Sequence, residues 1–128
     1  MTTERLEREL ASLREEDAAV NAEIAATAAA RDGITSAYKR SRRLRPRVIR
    51  GGVAVYEPSW VAEDEDHEAK LIEFDATIQA GNRRSRELGV SIEDRRRVLL
   101  QERKREEAKA AARRGGVVLR RRRDLRPA

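Results

Sequence analysis

From residue 6 to residue 38 one set of positions advances in alternating steps of four and three: Leu6, Leu10, Leu13, Asp17, Val20, Ile24, Thr27, Arg31, Ile34 and Tyr38. A repeat of 3.5 residues keeps side chains on one stripe of an α-helix and predicts a coiled-coil seam. Asp17, Thr27 and Arg31 are polar rungs, which cost stability and can set register or partner. Thr2 or Thr3 suits the N-cap, and Glu4 in the first turn is favoured by the helix dipole. Asp32-Gly33 either kinks or ends this helix, or is passed through to about Leu44, before Pro46.

The pattern then changes. Val48-Ile49-Arg50 and Val53-Ala54-Val55-Tyr56 are short β-type runs around Gly51-Gly52. Two glycines meet the positive-φ demand of a tight hairpin turn. A lone two-stranded hairpin is marginal, so it should pack on a helix or gain a third strand, for which Val117-Val118-Leu119 is the other available run. Helical spacing returns at Leu71, Phe74, Ile78, Gly81, Ser85 and Leu88, with Pro58-Ser59 at the start and Ser59 as the expected N-cap. Gly89 reads as a helix stop, and Ser91-Ile92-Glu93-Asp94 as a capping box opening a third helix to about Arg114. The expected organisation is a coiled-coil-like helix over 1–45, a hairpin over 46–58, two helices over 59–114 and a basic tail over 115–128. The fold class is mainly α: long coiled-coil-like helices, one short β-hairpin and an extended basic C-terminal tail.

Composition adds a constraint on the core. Hydrophobic residues make up 39% of the 128, much of that alanine, and aromatics only 3%. Alanine buries little area, and at ~25 cal/mol per Å² such a core holds a lone monomer weakly. The seams of Leu6, Leu10, Leu13, Val20, Ile24, Leu71, Phe74, Ile78 and Leu88 are therefore expected to be finished by another copy or another protein. High charge with low apolar content also suits a disordered chain, but the leucine spacing argues for helix. Without cysteine there is no disulfide framework and no thiolate metal site. No stretch has the apolar length of a membrane span, and Met1–Arg5 does not read as the start of a signal peptide. The expected location is the cytoplasm, or a particle assembled there.

Charge is laid out in blocks. Residues 1–38 carry a net −4, 39–50 a net +7, 51–82 a net −7 and 83–128 a net +10. A plain nucleic-acid binder has no need of the acidic blocks, whereas an oligomer or a facing helix pair can use all four. Two basic runs are candidate contact sites. Lys39, Arg40, Arg42, Arg43, Arg45 and Arg47 either touch phosphate or an acidic surface, or pair with the acidic run 63–68 of this fold or of a neighbouring copy. Arg113, Arg114, Arg120, Arg121, Arg122, Arg123 and Arg126 form the second; the tail from Arg120 on has no internal acidic block to match it, which favours a partner contact over a solvated terminus.

Little else offers chemistry. Asp64, His67 and Glu68 would share one helix face, but cation sites need convergent ligands, and an acidic first turn explains the run as well. His67 has no nucleophile motif beside it, so no catalytic residue and no cofactor is expected. Tyr56 and Trp60 either stack on bases or on a partner's arginine, or pin the hairpin to a helix.

The order helix, short hairpin, helix, basic tail resembles the small head–tail joining proteins of tailed bacteriophages and, more loosely, small helical virion and neck subunits. Val48–Tyr56, the helix through Leu71, Phe74 and Ile78, and the arginine tail carry the likeness, over about a third of the chain. The chain departs from that pattern in its longer first helix and its third helix. The resemblance implies a ring-forming or ring-docking subunit without catalytic residues. Its tail would meet a neighbouring protein or packaged DNA. The expected function is a non-enzymatic assembly protein, with itself or other protein subunits as partners. The alternative is a nucleic-acid-binding accessory protein using 39–50 and 113–126.

Overall fold

A computed structural model describes the backbone of residues 2–124 and the side chains of residues 2–115. Its elements are α1 (Thr3–Arg43), β1 (Val48–Arg50), β2 (Val53–Val55) and α2 (Pro58–Asp124). By contacts the chain forms two compact units, residues 17–87 and residues 1–16 with 88–128.

Helix α1 starts at a Thr2 cap, whose hydroxyl accepts from the Arg5 amide at 3.3 Å. It runs through Asp32-Gly33 without interruption and stops before Pro46, with Arg40, Arg42 and Arg43 in its last turn. Those cations suit the negative helix end. Every rung of the ladder from Leu6 to Tyr38 is buried or half-buried, the polar rungs Asp17, Thr27 and Arg31 included.

The hairpin forms as its sequence predicts. Gly51 and Gly52 take φ values of 59° and 79°, and β1 pairs antiparallel with β2 in the register Val48↔Val55, Ile49↔Ala54, Arg50↔Val53. Positive φ at both turn residues matches a two-residue turn to the strand twist. No third strand joins among the described residues: Val117-Val118-Leu119 belongs to α2.

Three expectations for the second half are corrected. Helix α2 begins at Pro58, one residue before Ser59, and Glu57 stands at the cap, its carbonyl accepting from the Trp60 amide at 2.9 Å. Proline suits that first position because its missing N–H has no partner there anyway. The acidic run 63–68 consequently lies beyond the first turn. Gly89 ends nothing, and the stop, the capping box and the separate third helix are absent, because α2 continues to Asp124. The reason is the phase of its seam. Trp60, Asp64, His67, Leu71, Phe74, Ile78, Gly81, Ser85, Leu88, Ile92, Arg95, Leu99 and Glu102 keep the four–three spacing, and all are buried or half-buried. Gly89 falls outside that stripe, with open space around it. A mid-helix glycine costs about 1 kcal/mol, while burying a leucine such as Leu88 or Leu99 returns roughly 1.5–3 kcal/mol. The basic run to Arg123 thus prolongs α2, while residues 125–128 lie outside the described residues.

In the unit of residues 17–87, α1 and α2 run antiparallel. Ser85 donates to Asp17 at 2.8 Å, Arg31 pairs with Asp75 at 2.8 Å, and Tyr38 stacks on His67. In the other unit Leu6, Leu10 and Leu99 form a small core with Ile92 and Val98 against it. Glu7–Arg103 at 2.8 Å and Glu9–Arg95 at 3.4 Å flank it. The seam expected to wait for another molecule is therefore covered, within each unit, by the chain's own second helix. The thin core foreseen from composition is also present: Leu6, Leu10, Leu88 and Leu99 are the buried hydrophobics among the described residues. Leu13, Val20, Ile24, Leu71, Phe74 and Ile78 are half-buried.

Candidate interaction surface

The end of α1, the hairpin and the start of α2 are joined through one side chain. The guanidinium of Arg45 donates to Asp64 Oδ1 at 2.7 Å and to the Tyr56 hydroxyl at 2.8 Å, and lies 3.5 Å from Glu63. Three rings, Tyr38, Tyr56 and Trp60, stand 5.7–5.9 Å from its carbon. Cation–π attraction and charge-assisted hydrogen bonds therefore act together on one residue, whose side chain is 9% exposed. Tyr38 and Tyr56 also donate to the Asp64 carboxylate. Ser41 adds a bond to Glu63 at 2.8 Å, and Tyr56 meets Trp60 edge-on.

These contacts set the local acid–base behaviour. The Arg45 hydrogen bond, then those from Tyr38 and Tyr56, hold the Asp64 carboxyl well below the usual carboxylate range. The same bond to Asp64 raises Arg45 further, so its charge is permanent. Accepting from Tyr38, Asp64 pushes that phenol upward, since ionisation would place a second negative charge beside it.

Arg45 was a predicted contact residue, and the structure uses it as a brace within the fold. The other cations of the run differ. Lys39, Arg40, Arg42, Arg43 and Arg47 are exposed and form no ion pair among the described residues. Arg50 reaches Glu57 at 3.5 Å. The acidic run 63–68 is thus engaged by Arg45 and by Lys70, which pairs with Asp66. Beside these cations Leu44, Ile49 and Val53 are 82%, 58% and 67% exposed. This end of the unit thus exposes both apolar and cationic side chains, with Ile49 and Val53 on opposite faces of the hairpin. Tyr56 and Trp60 pin the hairpin to α2, the second of the two roles considered for them.

Arg113 and Arg114 are exposed on α2 without an ion pair among the described residues. The side chains of Arg120, Arg121, Arg122 and Arg123, and all of Arg126, lie outside the described residues. Asp64, His67 and Glu68 do not converge: the first turns to Arg45, the second stacks 3.9 Å from Tyr38, and the third is exposed. Among the described residues no group of three or more His, Cys, Asp or Glu can hold a metal ion, and no helix is long and apolar enough to cross a membrane.

Sequence reasoning missed the brace, because nothing in the spacing of Tyr38, Arg45, Tyr56 and Asp64 marks them as neighbours. It also missed that Trp60, Asp64 and His67 extend the Leu71 stripe backwards, although the four–three spacing was there to follow. No family model, curated protein or solved structure matches the chain.

Proposed function

We propose that this chain is a non-enzymatic assembly protein, a helical adaptor working in an oligomer or larger complex and docking through cationic surfaces. The observation that carries this reading is the hairpin end, where Lys39, Arg40, Arg42, Arg43 and Arg47 are exposed without an ion pair among the described residues, and Leu44, Ile49 and Val53, close to them in the chain, are exposed as well. Exposed apolar side chains together with cations suit a protein partner that offers apolar surface and carboxylates, a second copy of this chain included, the apolar part supplying affinity and the charge supplying register. The arginines of 113–126 are a second docking element in this reading, on the strength of their sequence. Helix, hairpin, helix and basic end also agree with a head–tail connector role in a phage particle, the most specific form of the proposal.

The same cations support the runner-up, a nucleic-acid-binding accessory protein, since unpaired arginines suit phosphate. Native mass spectrometry of the full chain, with and without duplex DNA, separates the two. Self-assembly without DNA supports the adaptor. A monomer whose DNA affinity falls by orders of magnitude between about 50 and about 200 mM salt transfers the assignment to the runner-up. A monomer that ignores DNA removes both.

A further inference from the structure

The unit of residues 17–87 carries opposite charges that do not meet. Besides the unpaired cations, Glu65 and Glu68 are exposed and make no ion pair among the described residues. Their position on the helix gives them a common face. On one side of the α1–α2 seam, Ala37 and Ser41 of α1 line a groove with Glu63, Asp66 and Lys70 of α2. Helical periodicity then puts Asp32, Lys39, Arg42 and Arg43 of α1 on the opposite flank. The same periodicity places Val61, Glu65, Glu68 and Ile72 of α2 there, spaced four–three–four as the seam itself is. Val61 and Ile72 are 42% and 65% exposed. That flank therefore holds bases, acids and two aliphatic side chains, and none of Lys39, Arg42, Glu65 and Glu68 makes an ion pair among the described residues.

We infer that this flank is an interface between two copies of the chain, with Lys39 and Arg42 of each protomer against Glu65 and Glu68 of the other, around Val61 and Ile72. A two-fold axis makes any patch meet itself, so a surface carrying both signs side by side is closed by a second copy and every ion pair is made twice. A foreign acidic protein would leave Glu65 and Glu68 facing like charge, and a nucleic acid would do so more strongly. The inference rests on the assembly reading and gives it a partner and an address.

Sedimentation velocity of the full chain in about 50 mM and about 300 mM salt tests it, because exposed ion pairs weaken as the screening length shortens. The wild type is expected to associate at low salt and dissociate at high salt. Lys39→Glu with Arg42→Glu, or Glu65→Arg with Glu68→Arg, should each weaken association by about tenfold or more, and mixing the two variants should restore it as a hetero-pair. Since the chain has no cysteine, Arg42→Cys and Glu68→Cys variants offer a second readout: mixed under oxidation, they should cross-link to one another. Association indifferent to both charge reversals, or the absence of that cross-link, overturns this interface while leaving the adaptor reading in place. A monomer at every salt and concentration ends both.

Discussion

Ile24 Cγ1 lies 2.6 Å from where a Cβ on Gly81 would stand, so in the unit of residues 17–87 the two helices approach as closely as a missing side chain allows. The glycine is a seam position of α2, and Ile24 is one of the seam rungs of α1. Elsewhere in α2, Gly89 has nothing within 4 Å of its own Cβ direction.

Alanine at these two glycines should therefore act with opposite sign. Gly89→Ala gains helix propensity, about 0.5–1 kcal/mol, with nothing to collide with. Gly81→Ala gains the same amount but must push Ile24 aside, and overpacking costs roughly 1–3 kcal/mol. Urea unfolding should show Gly89→Ala more stable than wild type and Gly81→Ala less stable. Equal stabilisation by both would mean that the helices do not touch at Gly81.

Arg45 should control the hairpin more than the helices. Arg45→Met keeps length and apolar contact but removes both hydrogen bonds to Asp64 and Tyr56. Amide hydrogen exchange across 48–55 should accelerate markedly, while the amides of α1 before residue 38 keep their protection. Uniform acceleration would instead place Arg45 in the global core.

The pH dependence follows from the same cluster. Asp64 is depressed, so its contribution is fully present above the unfolded carboxyl value of about 4 and is lost only as pH falls towards its lower folded value. The stability gap between wild type and Asp64→Asn should be constant from neutral pH down to about 4 and narrow below it. Tyr38 is raised, so its contribution holds below about 10 and disappears as pH climbs through its folded value. The gap to Tyr38→Phe should close only in strong alkali. Thermal midpoints across the pH range measure both.

The polar rung Asp17–Ser85 should trade stability for register. Ser85→Ala leaves the half-buried Asp17 carboxylate without its donor and should cost about 1 kcal/mol. Replacing both, Asp17→Leu with Ser85→Leu, should raise the unfolding midpoint, because well-packed apolar pairs commonly match or exceed buried polar ones. A double variant less stable than Ser85→Ala would show that the rung contributes net energy.

Leu99→Ala should be the most damaging truncation. Leu99, Leu6 and Leu10 make up the buried cluster of their unit, so the cavity has few neighbours to close it, and a cost of about 2–5 kcal/mol is a large share of any small domain's stability. Circular dichroism during denaturation reads it directly.

Local spacing by itself determined which residues share a stripe: every rung from Leu6 to Tyr38, and the stripe through Leu71, Phe74 and Leu88, because 3.5-residue periodicity is a property of one helix and needs no neighbour. The turn at Gly51-Gly52 was equally legible, since its positive φ values are a demand of two adjacent residues. What lies against those stripes depended on contacts far apart in the chain, and only the tertiary structure decided it. The second helix of the same polypeptide covers the first within each unit. Gly89 passes through a helix because the leucines on either side of it hold the same seam. Arg45, indistinguishable in sequence from the cations around it, is drawn inward because Asp64 and three rings arrive around it when the hairpin closes. A charge run read from the chain is a set of equivalent arginines, and folding makes one of them structural by surrounding it and leaves the others to a partner.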